Sequence, residues 1–363
     1  MDVTVLLRCG WGLAIISCIV EFLPLGRLSE VARDFSRRGK LKLSPSPEKP
    51  PRFTVPQRWF IHFYVLGTIV NTALLLVVLL FAYACTFPVS ARESPFSIMM
   101  AQMGGGGSVD AGDGVTSVAD LNEHQFPAWS TVLLLAMMEL QIFRRLYECS
   151  HVFSYSSLAR MHLAAYLVGL IFYPAASMTL FTQHFQDKQY VSALRTFVLR
   201  RLALPCLHHS LPSVLNPQIS LLEYMKSMRG LQWFQWVGLA VFFLGWTQQY
   251  RCHMLLASLR SKKAHTGIHG IEKPFSQDKR KADRYEIPRG SWFEWVSCAH
   301  YLGEIVLYAG FVIGCGGTNL NIWLLFAWVV GNLSSTALET HVWYKTKFED
   351  YPESRRALLP YIF

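Results

Sequence analysis

Seven apolar runs alternate with polar stretches along the chain, at about 3–25, 60–84, 127–143, 160–181, 231–250, 295–315 and 318–338. Each approaches the roughly 20 apolar residues that an α-helix needs to cross about 30 Å of hydrocarbon. The third is the shortest and ends in Arg144-Arg145. The pattern predicts an all-α membrane protein with seven transmembrane helices, forming a single polytopic domain over residues 1–363. No internal repeat and no separable soluble domain breaks it. Composition agrees: 52% of residues are hydrophobic and only 16% are charged, whereas an average soluble domain is about 25% charged.

Charge then sets orientation. The segment 26–59 holds nine Lys/Arg and 251–292 holds ten, while 85–126 holds only Arg92. Excess Lys/Arg marks cytoplasmic loops. With seven spans, both rich segments and the C-terminal residues fall on one side. The N-terminus is therefore expected in the lumen and residues 339–363 as a cytosolic cap. The loop at about 182–230 carries six basic residues on the opposite side, and long loops translocate largely regardless of charge. The net charge of +10 thus speaks for membrane lipids, and no nucleic-acid partner is expected.

The remaining stretches carry little chemistry. LKLSPSPEKPPRFTVP (41–56) reads as a Pro-rich linker. MGGGGSVDAGDG (103–114) reads as a flexible lumenal segment of the 85–126 loop, without the strand or glycine spacing of a nucleotide loop. Eight scattered cysteines with no C-x-x-C pair argue against a disulfide framework or a zinc site, so no metal is expected. His208-His209 reads as surface, and the sequon Asn332-Leu333-Ser334 lies inside the last span, out of a transferase's reach. The first run lacks a charged n-region and a cleavage site, and reads as a retained span.

Polar groups inside the runs are more informative, because a carboxylate near mid-span costs about 2.5–3.5 kcal/mol on insertion scales. In WVSCAHYLGEIVLYAGF (295–311), His300 and Glu304 share one helical face. They form either a buried pair locking two helices or the polar wall of a ligand cavity. LAMMELQIFRRLYEC (135–149) places Glu139, Gln141, Arg144 and Arg145 at the exit of the third span. TQQYRCHMLLASLRSKK (247–263) lines up Gln249, His253 and Arg260, and ETHVWYKTKF (339–348) sets His341 three residues before Tyr344. Four such clusters on one side imply a shared pocket open to the cytosol. Arginine suits phosphate capture and aromatic faces suit a planar heterocycle. Together they point to a phosphorylated cofactor held among helices. The last stretch, FEDYPESRRALLPYIF (348–363), mixes charge with aromatic and apolar residues and is expected to pack.

That last stretch, YEIPRGSWFEWVSCAHYLGE (285–304) and the HxxY of His341 and Tyr344 resemble the steroid 5α-reductase family, most densely over 245–363. The resemblance implies seven membrane helices, residence in the endoplasmic reticulum membrane, and reduction of a conjugated C=C bond with NADPH. It also implies a tail that folds back to close the cofactor site. It puts Tyr344 near the nicotinamide and Arg355 in the closing wall. Arg144, Gln249, His253, Arg260, Tyr285, His300 and Glu304 take cofactor-lining positions, joined by Arg145 from the same cluster. VPQRWFIHFYVLG (55–67) and LQIFRRLYEC (140–149) look most like the branch that saturates the α-isoprene unit of long-chain polyprenols to make dolichol for protein N-glycosylation.

Steroid-reducing members carry an adjacent Gln-Glu pair in the second span, whose Glu contacts the substrate ketone; here the pair reads His62-Phe63, followed by Tyr64. An Asn of the sixth helix reads His300, and an Asp after the fifth reads His253. Losing the Glu argues against a steroid ketone. His62, Tyr64 and His341, in that order, become the candidate proton donors, with Tyr344 beside them.

The chemistry narrows the substrate. Hydride adds readily only to an electron-poor alkene, and an isolated allylic alcohol gives the developing carbanion nowhere to delocalise. The polyprenol's aldehyde stores that charge on oxygen, so the aldehyde is the expected direct substrate, the alcohol being handled by a separate dehydrogenase. A long isoprenoid tail must stay in lipid, which implies a lateral opening. Rival readings are a sterol or trans-2-enoyl-CoA reductase on the same scaffold, a methyltransferase using S-adenosylmethionine, and a multispan protein without catalysis. The arginines disfavour the methyltransferase, and polar groups gathered at one side disfavour a transport path. The oligomeric state is not legible.

Overall fold

All seven apolar runs form helices, and among the described residues two shorter helices join them. The computed structural model describes residues 2–43, 51–86, 123–156, 158–199, 230–266 and 285–360, without the side chains of 35–36, 38–43 and 260–266. In chain order the helices are α1 (Val3–Phe22), α2 (Arg27–Ser36), α3 (Ile61–Thr86), α4 (Gln125–Tyr147), α5 (Leu163–Phe181), α6 (Lys188–Phe197), α7 (Trp233–Thr266), α8 (Ala299–Gly314) and α9 (Leu320–Lys347). The 103–114 stretch, His208-His209, the Arg260 side chain and Tyr361–Phe363 lie outside the described residues.

Among the described residues, five segments are long and apolar enough to cross a membrane: α1, α3 with its preceding turn, α4 with the π-helical turn that follows it, α5 and α9. The other two expected spans have different proportions. α7 runs for 34 residues, and polar residues from Thr247 onward dilute its hydropathy. α8 has only 16 residues, because residues 291–298 are spent on a 3-10 turn and a bridge to the C-terminal segment. Exposed Leu13, Ile16, Ile69 and Ile171 on α1, α3 and α5 form apolar outer faces suited to lipid.

Local signals explain the helix ends. Asp2, Asp187 and Asn319 cap α1, α6 and α9, each side chain accepting a backbone N–H at 2.9–3.3 Å. Gly316 and Gly317, at φ of +72° and +69°, turn the chain from α8 into α9. α7 and α8 meet through glycines. A Cβ on Gly238 would come within 2.5 Å of Gly314 N, and one on Gly310 within 2.7 Å of Gly238 O. Only hydrogen at these positions lets the two backbones approach so closely.

The 41–56 linker is a correction. Its ends belong to a small antiparallel sheet, β1 (Arg38–Leu43) and β2 (Thr54–Pro56), both paired with β3 (Ala159–His162) in the order β1-β3-β2. Strands only three to six residues long carry too little alternation to stand out beside prolines. The last described stretch, 348–360, packs as expected. Ser297 N donates to Arg356 O at 2.8 Å and Arg356 N donates to Trp295 O at 3.1 Å. Tyr351, Arg355, Ala357 and Leu358 are buried there.

Candidate functional site

A cavity of about 750 Å³ lies among α1, α3, α4, α5, α7, α8 and α9. Its size falls within the usual range for small-molecule sites. The lining divides by chemistry. Cys18, Val168, Gly169, Phe172, Trp328 and Val329 supply apolar wall, while Tyr64, Arg145, His253, Ser297, His300 and Glu304 supply polar groups. Phe172 and Trp328 pack with ring centroids 4.9 Å apart and their planes tilted by 34°. β3 and the stretch before it close one flank through Phe153, Tyr155, Ala159 and Met161.

Glu148 organises the polar side. It follows α4, in the π-helical turn, and its side chain has no exposed surface. It forms an ion pair with Arg145 and another with Arg144, whose Nε lies 3.6 Å from Oε1. His253 Nδ1, on α7, lies 2.8 Å from Glu148 Oε2 and 2.9 Å from Arg145 Nη1. One tautomer of His253 donates to the carboxylate and the other accepts from the guanidinium. Arg145 also donates from Nη2 and Nε to Tyr64 Oη, at 2.9 and 3.2 Å. The α3 phenol is thereby fixed by an α4 cation.

A second chain of bonds runs behind the first. Arg144 donates to Gln141 Oε1 at 2.6 Å, to Gln249 Oε1 and to Trp246 O. Gln249 Nε2 in turn donates to Glu304 Oε2 at 3.0 Å. Neither Arg144 nor Gln249 reaches the cavity surface; both orient groups that do. The rings of His253 and His300 lie 5.7 Å apart.

The residues expected at the site therefore separate into three sets. Tyr64, Arg145, His253, Tyr285, His300, Glu304 and Tyr344 line one cavity. Arg144, Gln249, His341 and Arg355 stand behind its wall. His341 Nδ1 lies 2.6 Å from Ser297 Oγ, and the same hydroxyl lies 2.6 Å from Tyr351 Oη in the C-terminal segment. Arg355, 1% exposed, donates from Nη1 to Pro288 O at 2.8 Å and lies 3.5 Å from Glu294. His62 stands apart: it is exposed, with Nδ1 2.9 Å from Tyr166 Oη, and it does not line the cavity. Arg260 lies on α7.

Sequence reading passed over Glu148, Ser297 and Tyr173. Glu148 was findable: it stands three and four residues after Arg145 and Arg144, the spacing of a helical ion pair. Ser297 and Tyr173 gave no comparable signal, since neither a serine before a helix nor a tyrosine within an apolar one stands out, and only packing brings them to the cavity.

The polar wall fits a nicotinamide. A carboxamide needs both an acceptor and a donor, and its ring needs an aromatic face. Glu304, His300 and the rings of Tyr301 and Tyr344, all lining the cavity, offer these. Arg145 is the one Lys or Arg side chain among the described lining residues, and it is already engaged by Glu148 and Tyr64.

Residues 199–363 match the family model described as 3-oxo-5-alpha-steroid 4-dehydrogenase. Over nearly its whole length the chain is similar to proteins named polyprenal reductase. It is 36% identical to polyprenal reductase 1 of Oryza sativa subsp. indica, covering 98% of this chain and 97% of that protein. It is 37% identical to polyprenal reductase 2 of Arabidopsis thaliana, over 97% and 95% of the two chains. Identity to the Homo sapiens polyprenal reductase is 29%, over 96% and 92%.

Proposed function

Because the chain belongs to the steroid 5α-reductase family, in its polyprenal reductase branch, and is thus an oxidoreductase of a C=C bond, we propose that it reduces the α-isoprene double bond of polyprenal. The product is dolichal, on the route to dolichol for protein N-glycosylation, and the reductant is NADPH. The site is the cavity described above, in a multi-pass protein of the endoplasmic reticulum membrane. α7 and α8 complete seven crossings, with the N-terminus lumenal and residues 348–360 on the cytosolic side.

The observation that carries this reading is the Tyr64 phenol, held in the cavity by Arg145. Tyr64 Oη accepts from the guanidinium, so its own proton is left to donate. NADPH, when bound, supplies the hydride that adds to the electron-poor β carbon. As that bond forms, negative charge develops on the aldehyde oxygen, and a fixed phenol aimed there lowers the barrier without reorganising. Arg145 acts through Tyr64 by orienting it and holding positive charge nearby. Glu304, His300, Tyr285 and Tyr344 are the lining residues that would hold the nicotinamide end of the cofactor. Gln249 and Arg144 hold Glu304 in place. The apolar wall of Val168, Phe172 and Trp328 takes the first isoprene units and keeps water from the enolate.

Purified enzyme in lipid nanodiscs, given NADPH, should reduce polyprenal and leave polyprenol essentially unconverted. Equal turnover of the two would sink the aldehyde reading. Preference for a 4-ene-3-ketosteroid or a trans-2-enoyl-CoA would move the chain to another substrate class on the same scaffold.

A further inference from the structure

We propose that Tyr173 is a second catalytic phenol, donating a hydrogen bond to the same aldehyde oxygen as Tyr64; the inference rests on the polyprenal reading above. Tyr173 lies on α5 and lines the cavity at 4% exposure. Its ring centroid is 5.2 Å from that of Tyr64, with the planes at 54°. Arg145 and Glu304 lie within electrostatic reach of it.

Its hydroxyl is the telling group. Among the described residues, Tyr173 Oη makes no hydrogen bond, and a buried phenol normally finds a partner. Tyr308 and Tyr190 are also unpartnered, but their hydroxyls are sealed from any space. The Tyr173 hydroxyl is not sealed in this way, and the space its residue lines is the cavity. It is a donor awaiting an acceptor that enters with the ligand.

The packing holds that donor in place. A Cβ on Gly67 would come within 2.7 Å of Tyr173 Cβ, so α3 approaches α5 closely only because residue 67 is glycine. Phe172 packs edge-on against the Tyr173 ring at 4.9 Å. Tyr64 and Tyr173 thus converge from two helices, and an aldehyde oxygen has two lone pairs to receive them.

The electron and proton count closes. A hydride adds to the β carbon, and the π pair of the C=C bond shifts to leave an enolate with its charge on oxygen. Both phenols stabilise that oxygen by hydrogen bonds. One proton, in exchange with solvent, then adds to the α carbon as the carbonyl re-forms. The net change is one hydride and one proton added across the C=C bond, and both tyrosines end as they began.

The test compares Tyr173→Phe, Tyr64→Phe and Tyr308→Phe with wild type in nanodiscs, using polyprenal and NADPH. Tyr308 serves as the control, because it too is a buried phenol without a hydrogen-bond partner, but its hydroxyl is sealed and it does not line the cavity. Tyr173→Phe should lower kcat about 10²-fold with KM little changed, the loss typical of one oxyanion donor. With NADPH deuterated at C4, its isotope effect on kcat should exceed that of wild type, since the chemical step becomes slower than release. Tyr308→Phe should match wild type in both readings. A Tyr173→Phe variant with wild-type kcat, or with a reduced kcat and an unchanged isotope effect, overturns the inference while leaving the proposed function standing. A wild-type enzyme inactive on polyprenal removes both.

Discussion

Glu148 Oε2 and His253 Nδ1 stand 2.8 Å apart, joining the end of α4 to the middle of α7. The carboxylate is completely enclosed and faces two guanidiniums as well. Removing one partner of such a buried set leaves uncompensated charge and costs about 3–5 kcal/mol. Glu148→Ala should therefore lower the melting temperature sharply in detergent and abolish reduction. Glu148→Gln keeps the shape but not the charge, and should melt between the two. Wild-type melting in Glu148→Ala would show that the cluster is not what holds α4 and α7 together.

The glycine seam between α7 and α8 gives a second prediction. Gly310→Val would drive a branched side chain into the Gly238 carbonyl, which even a Cβ would meet at 2.7 Å. The helices must separate, and the 3.0 Å bond from Gln249 to Glu304 is lost with them. Overpacking of this kind costs about 1–3 kcal/mol. The expected result is an inserted protein with a lower melting temperature and weakened NADPH binding in a fluorescence titration.

The C-terminal segment is held by Ser297, through Tyr351 Oη at 2.6 Å and Arg356 O at 3.2 Å. His341 touches that same serine. Ser297→Ala, His341→Ala and Tyr351→Phe should therefore act alike, raising KM for NADPH more than they lower kcat. His341→Ala and Tyr351→Phe each lose one hydrogen bond to the serine and Ser297→Ala up to three, worth about 1 kcal/mol apiece, so changes near tenfold are expected. A purely kcat defect in His341→Ala would mark that imidazole as a participant in the chemistry itself.

At the far end of the bundle, burial pushes the His184 imidazole down to about 4, with Asp187 opposing only in part. His184 stays neutral in the folded protein, whereas its unfolded form takes up a proton near 6.5. Between those values the unfolded chain binds more protons, so stability falls as pH drops from about 6.5 toward 4. Above 6.5 this residue contributes no slope. His184→Gln should flatten the decline in melting temperature over that window, measured against wild type in the same detergent.

The apolar periods of about 20 residues determined where every long helix forms, because hydrocarbon tolerates no unpaired backbone and the helix pairs it internally. The polar clusters at the helix ends likewise gave Arg145, His253, His300, Glu304 and Tyr344, and the family resemblance added Tyr64; all six line one chamber. Spacing along one helix cannot say which way that helix turns toward its neighbours. For that reason only the tertiary structure separated His62, exposed beside Tyr166, from Tyr64, held by Arg145. It likewise drew Glu148, Ser297 and Tyr173 into the site from three separate parts of the chain. Their environments come from helix packing, through glycines such as Gly67 and Gly310 whose missing side chains set the distances.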